Sequence, residues 1–284
     1  MDVKKIAVVG AGTMGSGIAQ VATQTGLSVV AVELDSASAE AARARVSGGL
    51  GRLVKREKIT QADADSALSR LEVTSDLERI FDADVVVEAA FEDVALKKQL
   101  FARFDQIAAP HALLASNTST IPLVIMASET STPERVVGLH FFNPVPMMKL
   151  VEVIRTPASD PAMVSAACDL AVAVGKSPVQ INDVPGFVGN LLVVPFLLDA
   201  IRAYERGIAE MEAIDDVLKL GFNHPMGPFA LSDLIGLDIV HDMAASMYEE
   251  YRDPKYWPPT LLKQYVRMGW LGRKTGRGFY RYDS

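Results

Sequence analysis

The sequence predicts an α/β fold in two parts: a doubly wound sheet with an inserted helical hairpin over residues 1–184, then an all-helical domain over 185–284. Three observations carry this expectation. Short apolar runs alternate with helical spacing up to residue 181, a glycine-rich turn joins the first run to the first helical pattern, and beyond Gly186 the strand-like runs stop. Alternation of that kind is what a parallel sheet covered by helices requires. At 284 residues, 49% of them hydrophobic, the chain is long enough for two cores.

Ile6-Ala7-Val8-Val9 reads as the first strand, Gly10-Ala11-Gly12-Thr13-Met14-Gly15 as a tight turn opening a helix, and Val29-Val30-Ala31-Val32, closing on Glu33, as the second strand. A GxGxxG in that setting is the fingerprint of a Rossmann-type dinucleotide site. Gly10 permits the sharp turn, Gly12 lets the backbone approach a pyrophosphate, and Gly15 lets the helix lie close to the sheet. Thr13 and Met14 open the helix, whose unpaired N–H groups face the phosphates. Glu33, eighteen residues after Gly15, is placed to accept from both hydroxyls of an adenosine ribose, and its charge repels a 2′-phosphate. With no Arg or Lys from Glu33 to Arg43, the cofactor is read as NAD(H) over NADP(H). The competing reading is a glycine turn of an ordinary α/β protein, with an acid that caps the next helix.

Residues 37–71 carry helical spacing with a break near Ile59-Thr60, where Thr60 caps a second helix, so a helical hairpin follows the second strand. Strands are expected at 72–74, 84–88, 112–115, 136–139, 149–154 and 177–181, with helices such as 94–108 and 161–174 between them. Asn182-Asp183-Val184-Pro185-Gly186 reads as a linker, because Pro and Gly punctuate it and the periodicity switches across it. Beyond it, 187–206, 212–221, 229–251 and 260–268 read as helices. The stretches 191–198 and 234–240 are apolar on nearly every side, more than about a hundred residues can bury. A homodimer through the helical domain is therefore expected. Burial against the sheet domain alone is the other outcome.

A net charge of −7 and a pI near 5.2 argue against a nucleic-acid partner, which needs a positive field. Lys55-Arg56-Glu57-Lys58 is the local exception. The single cysteine, Cys168, sits in a helical run as a buried structural thiol and no internal disulfide can form. The first strand begins too close to Met1 for a cleaved secretory signal, and no apolar stretch approaches the ~18 residues of a membrane span. A soluble, cytoplasmic protein is expected, with no membrane partner and no metal site.

A dehydrogenase needs a proton acceptor beside the hydride-transfer carbon, and imidazole suits that task near neutrality. Of four histidines, His111 precedes a strand on the side away from the expected crevice, and His224 and His241 lie in the helical domain. His140 follows directly on a strand, at the carboxyl end where open α/β sheets bind ligands. Glu152, on the run that begins at Lys149, is placed to return antiparallel beside it, where a carboxylate fixes the tautomer and stabilises the protonated ring. Ser116-Asn117-Thr118-Ser119 supplies small polar groups at the same edge, and Asn190 opens the helical domain. Taken singly, each polar residue is equally a cap or turn former.

These residues carry a resemblance. The runs 10–17, 87–90 (Val-Glu-Ala-Ala), 115–119 (Ala-Ser-Asn-Thr-Ser), 140–144 (His-Phe-Phe-Asn-Pro), 148–152 (Met-Lys-Leu-Val-Glu), 185–187, 223–228 and 269–276 resemble the L-3-hydroxyacyl-CoA dehydrogenase family over essentially the whole chain, within it the bacterial branch acting on 3-hydroxybutyryl-CoA. The resemblance implies NAD-dependent interconversion of (S)-3-hydroxybutyryl-CoA and acetoacetyl-CoA. It implies His140 as acid/base, Glu152 as its orienting partner, and Ser119 and Asn190 as hydrogen-bonding groups around the reacting oxygen. Glu33, Glu92, Lys97, Asn117, Asn143 and Lys274 would contact NAD or lie beside it, and Ser47 and Lys55 on the hairpin would meet the CoA arm of an acyl-CoA substrate. The family's text has a second Ser after Ser119; here Thr120 stands there.

Two other readings compete. A β-hydroxyacid dehydrogenase joins similar domains but relies on a lysine, for which Lys176 and Lys149 are available, and it acts on free acids. A non-catalytic NAD-binding protein would keep the cofactor site without ketoacyl-CoA reduction.

Overall fold

Ile, Ala and two Val in succession make β1 (Lys5–Val9), buried from Ile6 onward, and the following turn delivers the chain into α1 (Thr13–Gln24). Two glycines permit that junction. Gly10 stands at φ +87°, where a Cβ would lie 2.7 Å from Ala90 backbone atoms, and a Cβ on Gly15 would collide with the Gly10 carbonyl oxygen. β2 (Ser28–Val32) then runs parallel to β1. The inserted hairpin is α2 (Ser36–Lys55) and α3 (Gln61–Ser69). Asp35 caps α2 by accepting the Ser38 N–H at 2.7 Å, and Thr60 forms a reciprocal capping box with Asp63 for α3, as its place in the sequence predicts.

β3 (Leu71–Thr74), β4 (Val85–Glu88), α4 (Val94–Ile107), β5 (Leu113–Ser116), α5 (Leu123–Ala127), β6 (Val136–Phe141), β7 (Leu150–Arg155), α6 (Pro161–Ala173) and β8 (Ser177–Asn182) complete this part. The computed structural model describes residues 3–282 and divides into two units, Met1–Val184 and Pro185–Ser284. Within the first, the strands lie in the order β3-β2-β1-β4-β5-β6-β7-β8. The strands from β3 to β6 pair in parallel, β7 runs antiparallel to β6, and β8 is parallel to β7. The central strands are apolar without alternation because helices cover both faces of the sheet.

Register sets the site. Val9, Glu88, Ser116 and Gly138 are successive Cα partners across β1, β4, β5 and β6, so the carboxyl ends of these strands form one rim. His140 lies two residues beyond that row. The winding reverses between β1 and β4, the switch point where such sheets bind ligands.

The second unit contains α7 (Gly189–Glu205), α8 (Met211–Asp216), α9 (Pro228–Ile235), α10 (Leu237–Tyr251) and α11 (Thr260–Arg267). The expected helix over 229–251 is two helices, because Gly236 adopts φ +108°, which ends the first and redirects the second. Val194, Leu197, Ile201, Phe229, Leu237, Val240 and Met247 form its core. Asp215 accepts from the N–H groups of Phe229 and Ala230 at the start of α9, and Asp233 accepts from those of Phe279 and Tyr280.

One side chain departs from expectation. Cys168 is half-buried, not fully buried, because it lies beside the exposed edge strand β8, where the Gln180 amide donates to its sulfur at 3.4 Å. No helix among the described residues is long and apolar enough to cross a membrane.

Candidate active site

The glycine turn and the end of β2 meet directly. Glu33 Oε1 accepts the Ala11 N–H at 2.7 Å, which folds the carboxylate over the turn. A Cβ built on Gly12 meets nothing within 4 Å, and no side chain caps α1, so open space lies at the helix start where Thr13 is exposed and Met14 half-buried. That cradle suits a pyrophosphate, and the carboxylate at its flank suits a ribose diol.

Further along the rim, His140 is 4% exposed and Glu152 2%. They are Cα partners across β6 and β7, and His140 Nδ1 lies 2.7 Å from Glu152 Oε2. A carboxylate only accepts, so the ring donates through Nδ1, and in the neutral imidazole Nε2 is left as a base. Ser119 Oγ stands 3.2 Å from that Nε2. The Phe142 ring packs on the imidazole at 4.6 Å between centroids and restricts its rotation. His111, by contrast, sits near Asp84 at the amino end of β4.

Ser119 sits on the turn after β5. Asn117 Oδ1 accepts the Phe141 N–H at 2.9 Å, tying the ends of β5 and β6 together. Glu92 Oε1 accepts from Thr118 Oγ1 at 2.5 Å and from the N–H groups of Ser119 at 2.9 Å and Thr120 at 3.2 Å. Burial would raise the Glu92 carboxyl, but the Lys97 ammonium and these donors outweigh it and hold it below the ordinary glutamate value. Lys97 is 1% exposed, its Nζ 2.6 Å from Glu88 Oε1 and 3.2 Å from Glu92 Oε2, so it stands behind Glu92 in the wall of the site. Thr120, where the resemblance leads one to expect Ser, keeps a hydroxyl directed at Glu92 at 3.4 Å.

Asn143 is exposed on the turn between β6 and β7. That turn is fastened from below by Lys176, whose ammonium donates to the carbonyls of Val145 and Met148. Burial pushes Lys176 below the ordinary lysine value. An ammonium consumed by two backbone carbonyls is a fastening, which takes Lys176 out of a lysine-based mechanism; Lys149, the other lysine available to that reading, is exposed just before β7.

The structure thus brings Gly10, Gly12, Gly15 and Glu33 together, and separately Glu92, Lys97, Asn117, Ser119, His140 and Glu152 on the same rim. Ser47 and Lys55 are exposed on α2 of the hairpin. Asn190 and Lys274 belong to the second unit. There Asn190 is 7% exposed in the first turn of α7, its N–H donating to the Gly186 carbonyl, and Lys274 pairs with Asp238 at 2.6 Å. Glu88 has no role of its own assigned from the sequence, and Ser116 appears there only as one of the small polar groups of 116–119, though a glutamate ending the apolar run Val85-Val86-Val87 repeats the pattern of Glu33 ending β2.

Residues 5–184 match the model for the NAD binding domain of 3-hydroxyacyl-CoA dehydrogenase, and 186–282 match that for its C-terminal domain. The probable 3-hydroxybutyryl-CoA dehydrogenase of Bacillus subtilis strain 168 is 45% identical over 284 residues, covering 100% of this chain and 99% of that protein. The crystal structure of Mycobacterium tuberculosis FadB2 superposes with a TM-score of 0.96 at 46% identity over 99% of each chain. That of (S)-3-hydroxybutyryl-CoA dehydrogenase PaaH1 from Ralstonia eutropha gives 0.94 at 42% over 100% of each. A dinucleotide cradle, a buried His–Glu pair and matches that run through both units have one common reading: the chain belongs to the 3-hydroxyacyl-CoA dehydrogenase family of NAD-binding oxidoreductases.

Proposed function

We propose that the protein oxidises (S)-3-hydroxybutyryl-CoA and related short-chain 3-hydroxyacyl-CoA thioesters to 3-ketoacyl-CoA, and runs the reverse reduction. The observation that carries this is the relay Ser119 Oγ, His140 Nε2, His140 Nδ1, Glu152 Oε2, with links of 3.2 and 2.7 Å. Bound NAD supplies the hydride acceptor, and NADH the donor in the reverse direction. Gly10, Gly12, Thr13, Met14 and Gly15 would hold its pyrophosphate, Glu33 its adenosine ribose, and Glu92, Asn117 and Asn143 would contact the remainder, with Lys97 behind Glu92; Lys274 as a further NAD contact rests on the family resemblance. His140 Nε2 takes the proton of the 3-hydroxyl, and Glu152 stabilises the imidazolium so formed. Ser119 donates to the reacting oxygen as its charge changes. Asn190 as a second donor, and Ser47 and Lys55 as contacts of the CoA arm, rest on the family resemblance.

The unit Pro185–Ser284 is assigned to dimerisation and substrate contact. It exposes Leu192, Leu220, Phe222 and Leu234 by half or more, and a second copy of the chain is their proposed cover. A cytoplasmic location is proposed with it. Sedimentation is expected to give a dimer at micromolar concentration, and a monomer there rejects that assignment.

The reaction is tested by loss of NADH absorbance with acetoacetyl-CoA, beside a longer ketoacyl-CoA and free acetoacetate. Turnover of the thioesters is expected, and His140→Ala should lose on the order of 10²–10⁴ in rate. Turnover of free acetoacetate alone, or an undiminished His140→Ala variant, rejects the reading.

A further inference from the structure

Glu88 ends β4 with 0% exposure, yet it carries a carboxylate. Three donors surround it: Lys97 Nζ at 2.6 Å and the Ala90 N–H at 2.7 Å on Oε1, and Ser116 Oγ at 2.6 Å on Oε2. Two routes lead from it to the turn that bears Ser119. In one, the Lys97 ammonium passes to Glu92 Oε2, and Glu92 Oε1 collects the Ser119 and Thr120 N–H groups. In the other, Ser116 gives its single proton to Glu88, and its oxygen accepts the Thr118 N–H at 3.2 Å. Both end on residues at or beside Ser119, whose Oγ faces the base.

A charged pair inside a sheet domain contributes little net stability, since well-packed apolar residues of the same volume often serve as well or better. What an apolar pair cannot do is hold N–H and hydroxyl groups of a neighbouring turn in fixed positions. We propose that Glu88 is a positioning residue for the reaction, acting on Ser119 through Lys97, Glu92 and Ser116 without touching substrate. This rests on the proposed dehydrogenase reading. Glu88→Gln keeps the shape but removes the charge and turns an amide NH₂ toward one of its donors. The Lys97 ammonium is then left with Glu92 as its one carboxylate within reach among the described residues, which draws that carboxylate off the 118–120 turn.

The test is a cycle of Glu88→Gln and Ser119→Ala, assayed with NADH and acetoacetyl-CoA. In the otherwise native enzyme, Glu88→Gln is expected to lower kcat about tenfold, the scale of a sub-ångström misplacement, with KM for acetoacetyl-CoA changed less than about twofold. In the Ser119→Ala background the same change should cost less than about twofold, because the group it positions is gone. Equal losses in both backgrounds, or no loss in the native one, overturn the proposal. Ser116→Ala cuts one route while leaving the Glu88–Lys97 pair intact, and the same non-additivity is expected of it if Glu88→Gln does not fold. Absence of acetoacetyl-CoA turnover by the unsubstituted protein rejects both the reaction and this role. Turnover with an undiminished Glu88→Gln rejects the role alone.

Discussion

His140 and Glu152 are partners in two senses: their Cα atoms face each other in the β6–β7 register, and their side chains meet at 2.7 Å between Nδ1 and Oε2. Because both stand on strands of one sheet, the backbone ladder fixes the geometry of the pair, a firmer support than loops give. Glu152→Gln retains an acceptor for the ring N–H but loses the charge that stabilises imidazolium. A fall in kcat of at least about 10²-fold is expected, with the urea midpoint showing that the fold persists. A loss under about threefold would show that the carboxylate has no part in proton transfer.

Glu33 should set the choice of cofactor. Its carboxylate lies over the glycine turn, bonded to the Ala11 N–H, where a 2′-phosphate would meet its charge. NADH is expected to bind more tightly than NADPH, and Glu33→Ala should narrow the ratio by about tenfold, the scale of a hydrogen bond to a charged group. Fluorescence titration with both nucleotides measures it. Equal affinities in the unsubstituted protein would remove Glu33 from this role.

The parts legible in the sequence were those where residue type alone dictates position. A glycine turn between a strand and a helix, an acid at the next strand's end, and a histidine and a glutamate on consecutive strands are all local patterns whose consequences at a sheet's rim follow from strand geometry. The Glu88–Lys97–Glu92 link was hidden because a strand residue and a helix residue that meet through burial leave no periodic trace. Lys97 carries from the sequence only the family's expectation of a residue at or beside the cofactor. The break at Gly236 was hidden for a different reason: apolar spacing continues across it, and isolated glycine is tolerated in helical patterns until its φ is known.

Lys97 is expected to matter for stability in a specific way. It and Glu88 are 1% and 0% exposed, so Lys97→Met strands a buried carboxylate and should cost roughly 3–5 kcal/mol. Glu88→Leu with Lys97→Met removes both charges and should recover most of that loss. Urea unfolding of the single and double variants measures the difference. A double variant no more stable than Lys97→Met would mean that packing, not the stranded charge, accounts for the cost.

Asp105 on α4 anchors the turn that leads into β6, the strand of His140, and its ionisation should appear in the pH dependence of stability. It accepts from the Ser131 N–H at 2.7 Å and hydroxyl at 2.6 Å, from Thr132 Oγ1 at 2.9 Å and from Arg135 at 2.8 Å. Burial opposes ionisation, but the Ser131 hydroxyl and the Arg135 guanidinium outweigh it and hold the carboxyl well below its ordinary value of 3.8. A carboxyl depressed in the folded state contributes stability that is complete above its unfolded value and is lost as pH falls through the folded one. Asp105→Asn should therefore lower the unfolding free energy by about 1–3 kcal/mol between about pH 5 and 8. The gap to the unsubstituted protein should shrink once pH drops below 3.8. Urea titrations across that range decide it, because a gap that stays constant or widens on acidification contradicts a depressed carboxyl at this position.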